Sequence, residues 1–229
     1  DFVEALDDRA FGAAMLLLAL PNAVGIGTIP GVSTLFGVPQ NPKSHPEIDT
    51  GDHVMRVIDQ AAAAAQPLPV RFAALLHDLG KGLTPKENWP NHGGHEAAGL
   101  ALVKQVSLRL RAPTECASLA QIVARWHGQA HQADNMGAEG MLDLLEHTDA
   151  LRRPDRFEQF LHACAADFHG RPGWEERPFP QADRLRLALA AAREVDAGAL
   201  ARQVAPDAIP DAIRQARVQA IRQALKSIP

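Results

Sequence analysis

Apolar positions recur at helical spacing along most of the chain, and Pro and Gly divide the segments so formed. Val54, Val57, Ile58 and Ala61 share one face, with Asp52 placed to cap their helix. In the next run, VRFAALLHDLGKG, Phe72, Leu75, Leu76 and Leu79 keep the helical period, and Gly80 or Gly82 is expected to stop it. A polar loop with Pro85, Trp89 and Pro90 spans Leu83 to Gly94. Helices are then expected from His95 to Arg111, from Pro113 and Thr114 through Leu119, Ile122, Val123 and Trp126, and from Met141 to Arg152. Beyond a break at Pro154, others follow from Arg156 to Phe168, from Ala182 to Val195, near Leu200, and from Asp211 to Lys226. No strand-period alternation, internal repeat or low-complexity tract stands out. The pattern predicts an all-α fold.

One stretch departs from this amphipathic pattern. Ala10 to Asn41 carries no charged residue. A membrane-spanning helix needs roughly 20 unbroken apolar residues, whereas Pro21 and Pro30, with Gly25, Gly27 and Gly31, interrupt this run. The acidic start (Asp1, Glu4, Asp7, Asp8) lacks the basic region of a signal peptide. The stretch therefore reads as a buried helix, Arg9 to Leu20, followed by a packed loop, or as a face made to dock on another segment. No membrane association is expected. Because the chain begins at Asp1, it is expected to be a fragment or a truncated relative of a longer protein.

Composition narrows the class. With 229 residues and 46% hydrophobic content the chain can bury a core without staples, and is not disordered. Two cysteines, Cys116 and Cys164, exclude a disulfide scaffold and a Cys-based zinc module, and fit a reducing, cytoplasmic setting. A net charge of −4 excludes a strongly basic nucleic-acid binder, so any polyanion contact must be local.

The candidate chemistry lies in the histidines. Seven of the ten fall between His53 and His147. His77 and Asp78 are adjacent at the polar end of an apolar helical run, where such a pair is costly unless partnered or bound to metal. Neutral imidazole and carboxylate are good ligands for divalent ions. His53 lies one helix upstream and His95 opens the helix after the polar loop. His127 comes late in the next helix with His131 one turn on, Asp149 follows in the helix after that, and Asp167 lies further along. A helical bundle can converge such residues inward.

The spaced set His53, His77-Asp78 and Asp149 resembles the HD phosphohydrolase superfamily. Four blocks in order, LFGVPQNPKSHPEIDTGDHV, RFAALLHDLGKGLTPKENWPNHGGHEAAG, DALRRPDRFEQFL and ACAADFHGRPG, are similar to the C-terminal HD domain of the bacterial CCA-adding enzymes, a tRNA nucleotidyltransferase family. The likeness runs from about Leu35 to Val195, and the tail AIRQARVQAIRQAL is similar as well. It implies an HD helical bundle over 43–175, a neck-like segment over 1–42 and a C-terminal helical tail over 176–229. Two features depart from the pattern: Ala10 to Thr34 lacks the charges of the family's neck helices, and Gly128 stands where an acid often follows the histidine equivalent to His127.

The resemblance implies a metal-dependent phosphohydrolase, with phosphatase, 2′-nucleotidase and 2′,3′-cyclic phosphodiesterase activities. His53, His77, Asp78 and Asp149 would hold the metal, with Asp149 preferred on helix order and Asp167 its competitor. His95 and His127 would be ligands of a second metal, or phosphate and proton-transfer groups, and His77, Asp78, Lys81 and His127 the catalytic set. The N/O ligand set admits Mg²⁺, Mn²⁺, Ni²⁺ or Co²⁺. Lys81, Arg152 and Arg171 are candidate phosphate partners, although a Lys after a helix-stopping Gly is commonly a solvated partner of the helix dipole. The expected ligand is a phosphorylated nucleotide or a tRNA 3′ end, the expected partner a nucleotidyltransferase head absent from this chain, and a homodimer stays open. No Asp-x-Asp and no Gly-Ser turn occurs, so the chain alone should not polymerise CCA. The competing reading is a non-catalytic body that holds tRNA for such a head.

Overall fold

The structure, a computed structural model, describes residues 31–226; the helix expected from Arg9 to Leu20 lies outside them. Among the described residues there is no strand, only an isolated antiparallel bridge between Pro39 and Asp49. The α-helices are α1 (Thr50–Ala63), α2 (Leu68–Leu76), α3 (His95–Arg109), α4 (Thr114–His131), α5 (Ala138–His147), α6 (Pro154–His169), α7 (Pro180–Arg193), α8 (Ala197–Ala201) and α9 (Ile209–Leu225). The fold is all-α. No helix among the described residues is long and apolar enough to cross a membrane.

Local chemistry moves several boundaries from their expected places. Asp49, not Asp52, caps α1: its carboxylate accepts from the Asp52 amide at 3.1 Å and from the Gly37 amide at 2.5 Å. Asp52 sits in the first turn, where its charge favours the helix dipole. Helix α2 stops at Leu76, and a 3₁₀ turn, Leu79–Leu83, follows. Gly80 is therefore not a stop signal. Its value is close approach, because a Cβ there would overlap the His95 carbonyl oxygen. Pro154 begins α6 rather than separating two helices, in keeping with its fixed φ at a first helical position.

The chain divides into two compact units, each spanning two stretches. The first takes the described residues up to Gly128 and then Gln159–Pro178; the second takes Gln129–Glu158 and the chain from Phe179 onward. In the first unit α2 is apolar nearly all round and buried from Pro69 to Leu76, as a central helix must be. Helix α1 packs on it, and Val57, Ala61, Ala74 and Ala166 form a cluster of small buried side chains that lets backbones approach. In the second unit α9 packs on α5 and α7, flanked by Arg214 pairing with Asp143 and Glu146 and by Arg222 pairing with Glu139. The side chains in these pairs are 38–60% exposed, so each pair contributes at most about 1 kcal/mol.

Both cysteines are core residues. Burial pushes the Cys116 thiol up to about 11, with Glu115 adding to the effect, and pushes Cys164 well above its ordinary value, with Asp167 adding. At pH 8 neither thiol should react with iodoacetamide in the native protein, and both should react in guanidinium; mass spectrometry of the alkylated chain counts the labels. Native-state labelling of either would show that its surroundings open.

Candidate metal centre

The first unit brings its acidic and imidazole side chains to one buried place by two close backbone approaches. At Gly80 and Gly99 the turn after α2 presses on the first turns of α3: a Cβ on Gly99 would stand 2.8 Å from the Gly80 nitrogen. This contact carries Asp78 to His95. At Gly170 a Cβ would stand 2.6 Å from Val57 Cγ2 and 3.0 Å from the Val57 nitrogen, so the end of α6 lies against α1. That contact carries Asp167 to His53, whose Nε2 is 2.9 Å from Asp167 Oδ1.

Three imidazoles are fixed by their own helices. His77 Nδ1 donates to the Ala74 carbonyl at 2.7 Å, His95 Nδ1 to His92 at 3.0 Å, and His127 Nδ1 to Val123 at 2.9 Å. A carbonyl only accepts, so each Nδ1 carries the proton, and a neutral ring then offers its Nε2 as an acceptor. All three Nε2 atoms face one carboxylate: His77 at 3.1 Å from Asp78 Oδ2, His95 at 3.3 Å and His127 at 3.5 Å from Asp78 Oδ1. Lone pairs aimed at a carboxylate repel unless protons or a cation stand between. Protonating all three rings would crowd positive charges whose centroids are 5.2 Å (His77–His127) and 5.7 Å (His95–His127) apart, beside Lys81 and away from water. A divalent cation meets the same demand with one ion. His77 Nε2, Asp78 Oδ1 and His95 Nε2 are buried without a hydrogen-bond partner, as the donor atoms of a cation site would be. The residues thus fit a metal.

The ligand atoms fall into groups within 4.8 Å: His53 with His77 and Asp167, Asp78 with His95 and His127, and His45 with Glu47 and His53. Burial would raise the Asp78 carboxyl, but His77, Lys81 and His127 outweigh it and hold it well below the usual carboxylate range. Burial likewise opposes charge on His53, and the Asp167 and Glu47 carboxylates overcome it, so its value is raised. Burial, Lys81 and His53 push His45 down to about 2, leaving it a neutral ring.

Lys81 is not a solvated dipole partner. It is buried, and its Nζ donates to Asp78 Oδ2 at 2.7 Å and to Gln40 Oε1 at 2.5 Å. Arg171 is buried too; its Nη2 is 3.6 Å from Asp167 Oδ1, and its guanidinium lies 5.0 Å from the Trp174 ring centre. Asp149 and Arg152 stand elsewhere, in the second unit. Asp149 has φ +57 just past α5, and its carboxylate lies 3.4–3.6 Å from Arg152, Arg153 and Arg156. No ligand group among the described residues contains Asp149, whereas Asp167 stands with His53 and His77. Arg152 is largely exposed and paired locally with Asp149. His131 packs on Phe179 at 5.4 Å between ring centres.

Sequence reasoning missed Gln40, His45 and Glu47. They lie on an irregular hairpin from Val38 to Thr50, closed by the Gln40 amide to Ile48 (2.6 Å) and the Thr50 amide to Val38 (3.0 Å). Periodicity has no purchase there; the only signal was the His-Pro-Glu-Ile-Asp block preceding His53. A cleft of about 260 Å³ opens between this hairpin and His95, with Lys81 in its wall.

Residues 50–158 match the family model described as the HD domain, and residues 1–41 match the one described as "Exopolysaccharide synthesis, ExoD". The chain is 53% identical over 209 residues to the multifunctional CCA protein of Nitrosospira multiformis, covering 87% of this chain and 51% of that relative. It is 55% identical over 176 residues to that of Nitrosomonas eutropha, covering 77% and 43%, and 53% identical over 199 residues to that of Burkholderia vietnamiensis, covering 86% and 48%. The chain spans about half the length of the curated relatives it matches. No solved structure matches it.

Proposed function

Because this chain belongs to the HD-domain family and shares most of its length with multifunctional CCA proteins, we propose that it is a divalent-metal phosphohydrolase. Its substrates are phosphate monoesters and 2′,3′-cyclic phosphates at the end of a nucleotide or of tRNA. The observation that carries this reading is the convergence of the Nε2 atoms of His77, His95 and His127 on the buried Asp78 carboxylate. A binding body has no use for such a repulsive arrangement.

His53, His77, Asp78 and Asp167 would hold the metal, and His95 and His127 would complete a second ion's ligands or move a proton at Nε2. When bound, Mg²⁺, Mn²⁺, Ni²⁺ or Co²⁺ would polarise a phosphoryl oxygen and lower the pKa of a bound water. Lys81 neutralises phosphate charge from a fixed position, since Asp78 and Gln40 hold its ammonium. Arg171, with its Nε buried and unpartnered, offers a second cation to the same charge. Asp167 holds the His53 ring, and the buried walls exclude bulk water.

The test is hydrolysis of 2′,3′-cyclic AMP and p-nitrophenyl phosphate after chelator treatment, with each of the four metals restored. Turnover is expected to return with metal, and Asp78→Ala to lower it by at least about a thousandfold. Well-folded protein that binds metal but turns over neither substrate would instead be a tRNA-holding body.

A further inference from the structure

The cleft beside the metal centre has one wall group with no assigned task. Gln40 is 2% exposed, and its Nε2 is buried without a hydrogen-bond partner. Its amide cannot be turned round. Lys81 Nζ only donates, so the atom 2.5 Å from it must be Oε1, which leaves Nε2 directed elsewhere. The backbone is pinned as well, by the Gln40 amide to Ile48 and by His92 Nε2 donating to the neighbouring Pro39 carbonyl at 2.7 Å. A buried amide N–H left unsatisfied costs about 1–3 kcal/mol in general, so a partner from the cleft is the physical expectation. The other polar groups at this wall are Asn41, Ser44, Asn91 and the imidazoles of His45, His92 and His95, with the Lys81 ammonium beside them and no acidic side chain among the lining residues. Such a wall suits an anion bearing several acceptor oxygens.

We propose that Gln40 is a phosphate-binding residue: its Nε2 donates to a non-bridging oxygen of the substrate's phosphoryl group while its Oε1 steers Lys81 toward the same group. This rests on the phosphohydrolase reading and adds to it the wall that recognises the anion. The geometry is a chain, Asp78 carboxylate to Lys81 ammonium to Gln40 amide, in which the metal-ligand carboxylate and the anion donor are set by one lysine. The cleft, about 260 Å³, is smaller than the roughly 300–1,000 Å³ of ordinary small-molecule pockets, so it takes a phosphoryl group with its adjoining sugar and leaves the remainder outside.

The discriminating variant is Gln40→Glu. It keeps the acceptor for Lys81 and the side-chain shape, and replaces the donor by an anionic oxygen; Gln40→Met, neutral and without a donor, separates loss of the donor from the added charge. Inorganic phosphate is titrated into the full chain loaded with Co²⁺, followed by calorimetry and by the cobalt visible absorption, with Co²⁺ affinity measured separately. Phosphate affinity is expected to fall by about tenfold to a hundredfold, the effect of losing a hydrogen bond to a charged group, while Co²⁺ affinity stays within about threefold. Phosphate binding equally well to the variant overturns the proposal, as does wild-type protein that holds Co²⁺ and no phosphate. Ester turnover measured in parallel separates the two readings: a Co²⁺ protein whose phosphate affinity depends on Gln40 but which hydrolyses nothing sinks the phosphohydrolase and leaves the anion wall standing.

Discussion

Asp167→Asn is expected to strip this protein of its metal, and Asp149→Asn to leave it bound. Asp167 is 3% exposed, lies 2.9 Å from His53 Nε2, and shares a ligand group with His53 and His77. Removing its charge takes a ligand anion from the group and leaves the Arg171 guanidinium without its carboxylate, so the loss of affinity should exceed the roughly 10–100-fold caused by deleting a ligand's hydrogen-bond partner. Asp149 has φ +57, a conformation that Asn tolerates among the best of the non-glycine residues, and two of its three arginine partners, Arg152 and Arg153, are largely exposed. Its replacement should cost no more than about 1 kcal/mol of stability and keep metal affinity within about twofold, since nothing in the ligand groups changes. Metal per chain after desalting, with calorimetric dissociation constants for Mn²⁺ or Ni²⁺, distinguishes the two. Loss of metal from Asp149→Asn with retention in Asp167→Asn would remove the ligand set at its root.

Much of the helical frame was legible because burial writes a period into the sequence. The apolar stripes of α1, α4 and α6 predict helices close to those observed, and the His77-Asp78 pair ends an apolar run too long to be surface. What was not legible lies where backbones meet. Gly80 looks like a helix stop, and is a contact with α3; the helix itself ends earlier, at Leu76. In one dimension helix order favours Asp149 over Asp167; the meeting of Gly170 with Val57, which places Asp167 beside His53, leaves no mark in the sequence. Gln40 and Glu47 carry no periodic signal, because the Val38–Thr50 hairpin satisfies its backbone by local bonds rather than by a helix or a sheet. The two units also interleave, each built from two stretches of chain, so no cut of the sequence into consecutive segments reproduces them.

Gly80→Ala tests the contact on which the site depends, and is expected to be among the most damaging one-carbon changes in the chain. The added Cβ would overlap the His95 carbonyl oxygen and stand 2.8 Å from the Gly99 nitrogen. Both are backbone atoms in the first turns of α3, so no side-chain rotation relieves them; the turn and the helix must part. Overpacking of this kind costs about 1–3 kcal/mol or more, and for a chain of this size roughly 2–4 °C of melting temperature per kcal/mol. A fall of about 2–12 °C follows. Because His95 opens α3 and Asp78 precedes the turn, the same displacement pulls His95 Nε2 away from Asp78, now 3.3 Å apart, and should weaken metal binding together with stability. Gly93→Ala supplies the control: it is exposed, nothing lies within 4 Å of its Cβ, and it sits two residues from the same histidine. Its stability should stay within about 0.5 kcal/mol of wild type. Calorimetric melting of metal-free and metal-loaded forms reads both effects. Equal melting of the two alanine variants would mean that α3 does not rest on the turn after α2, and His95 would then have no fixed place beside Asp78.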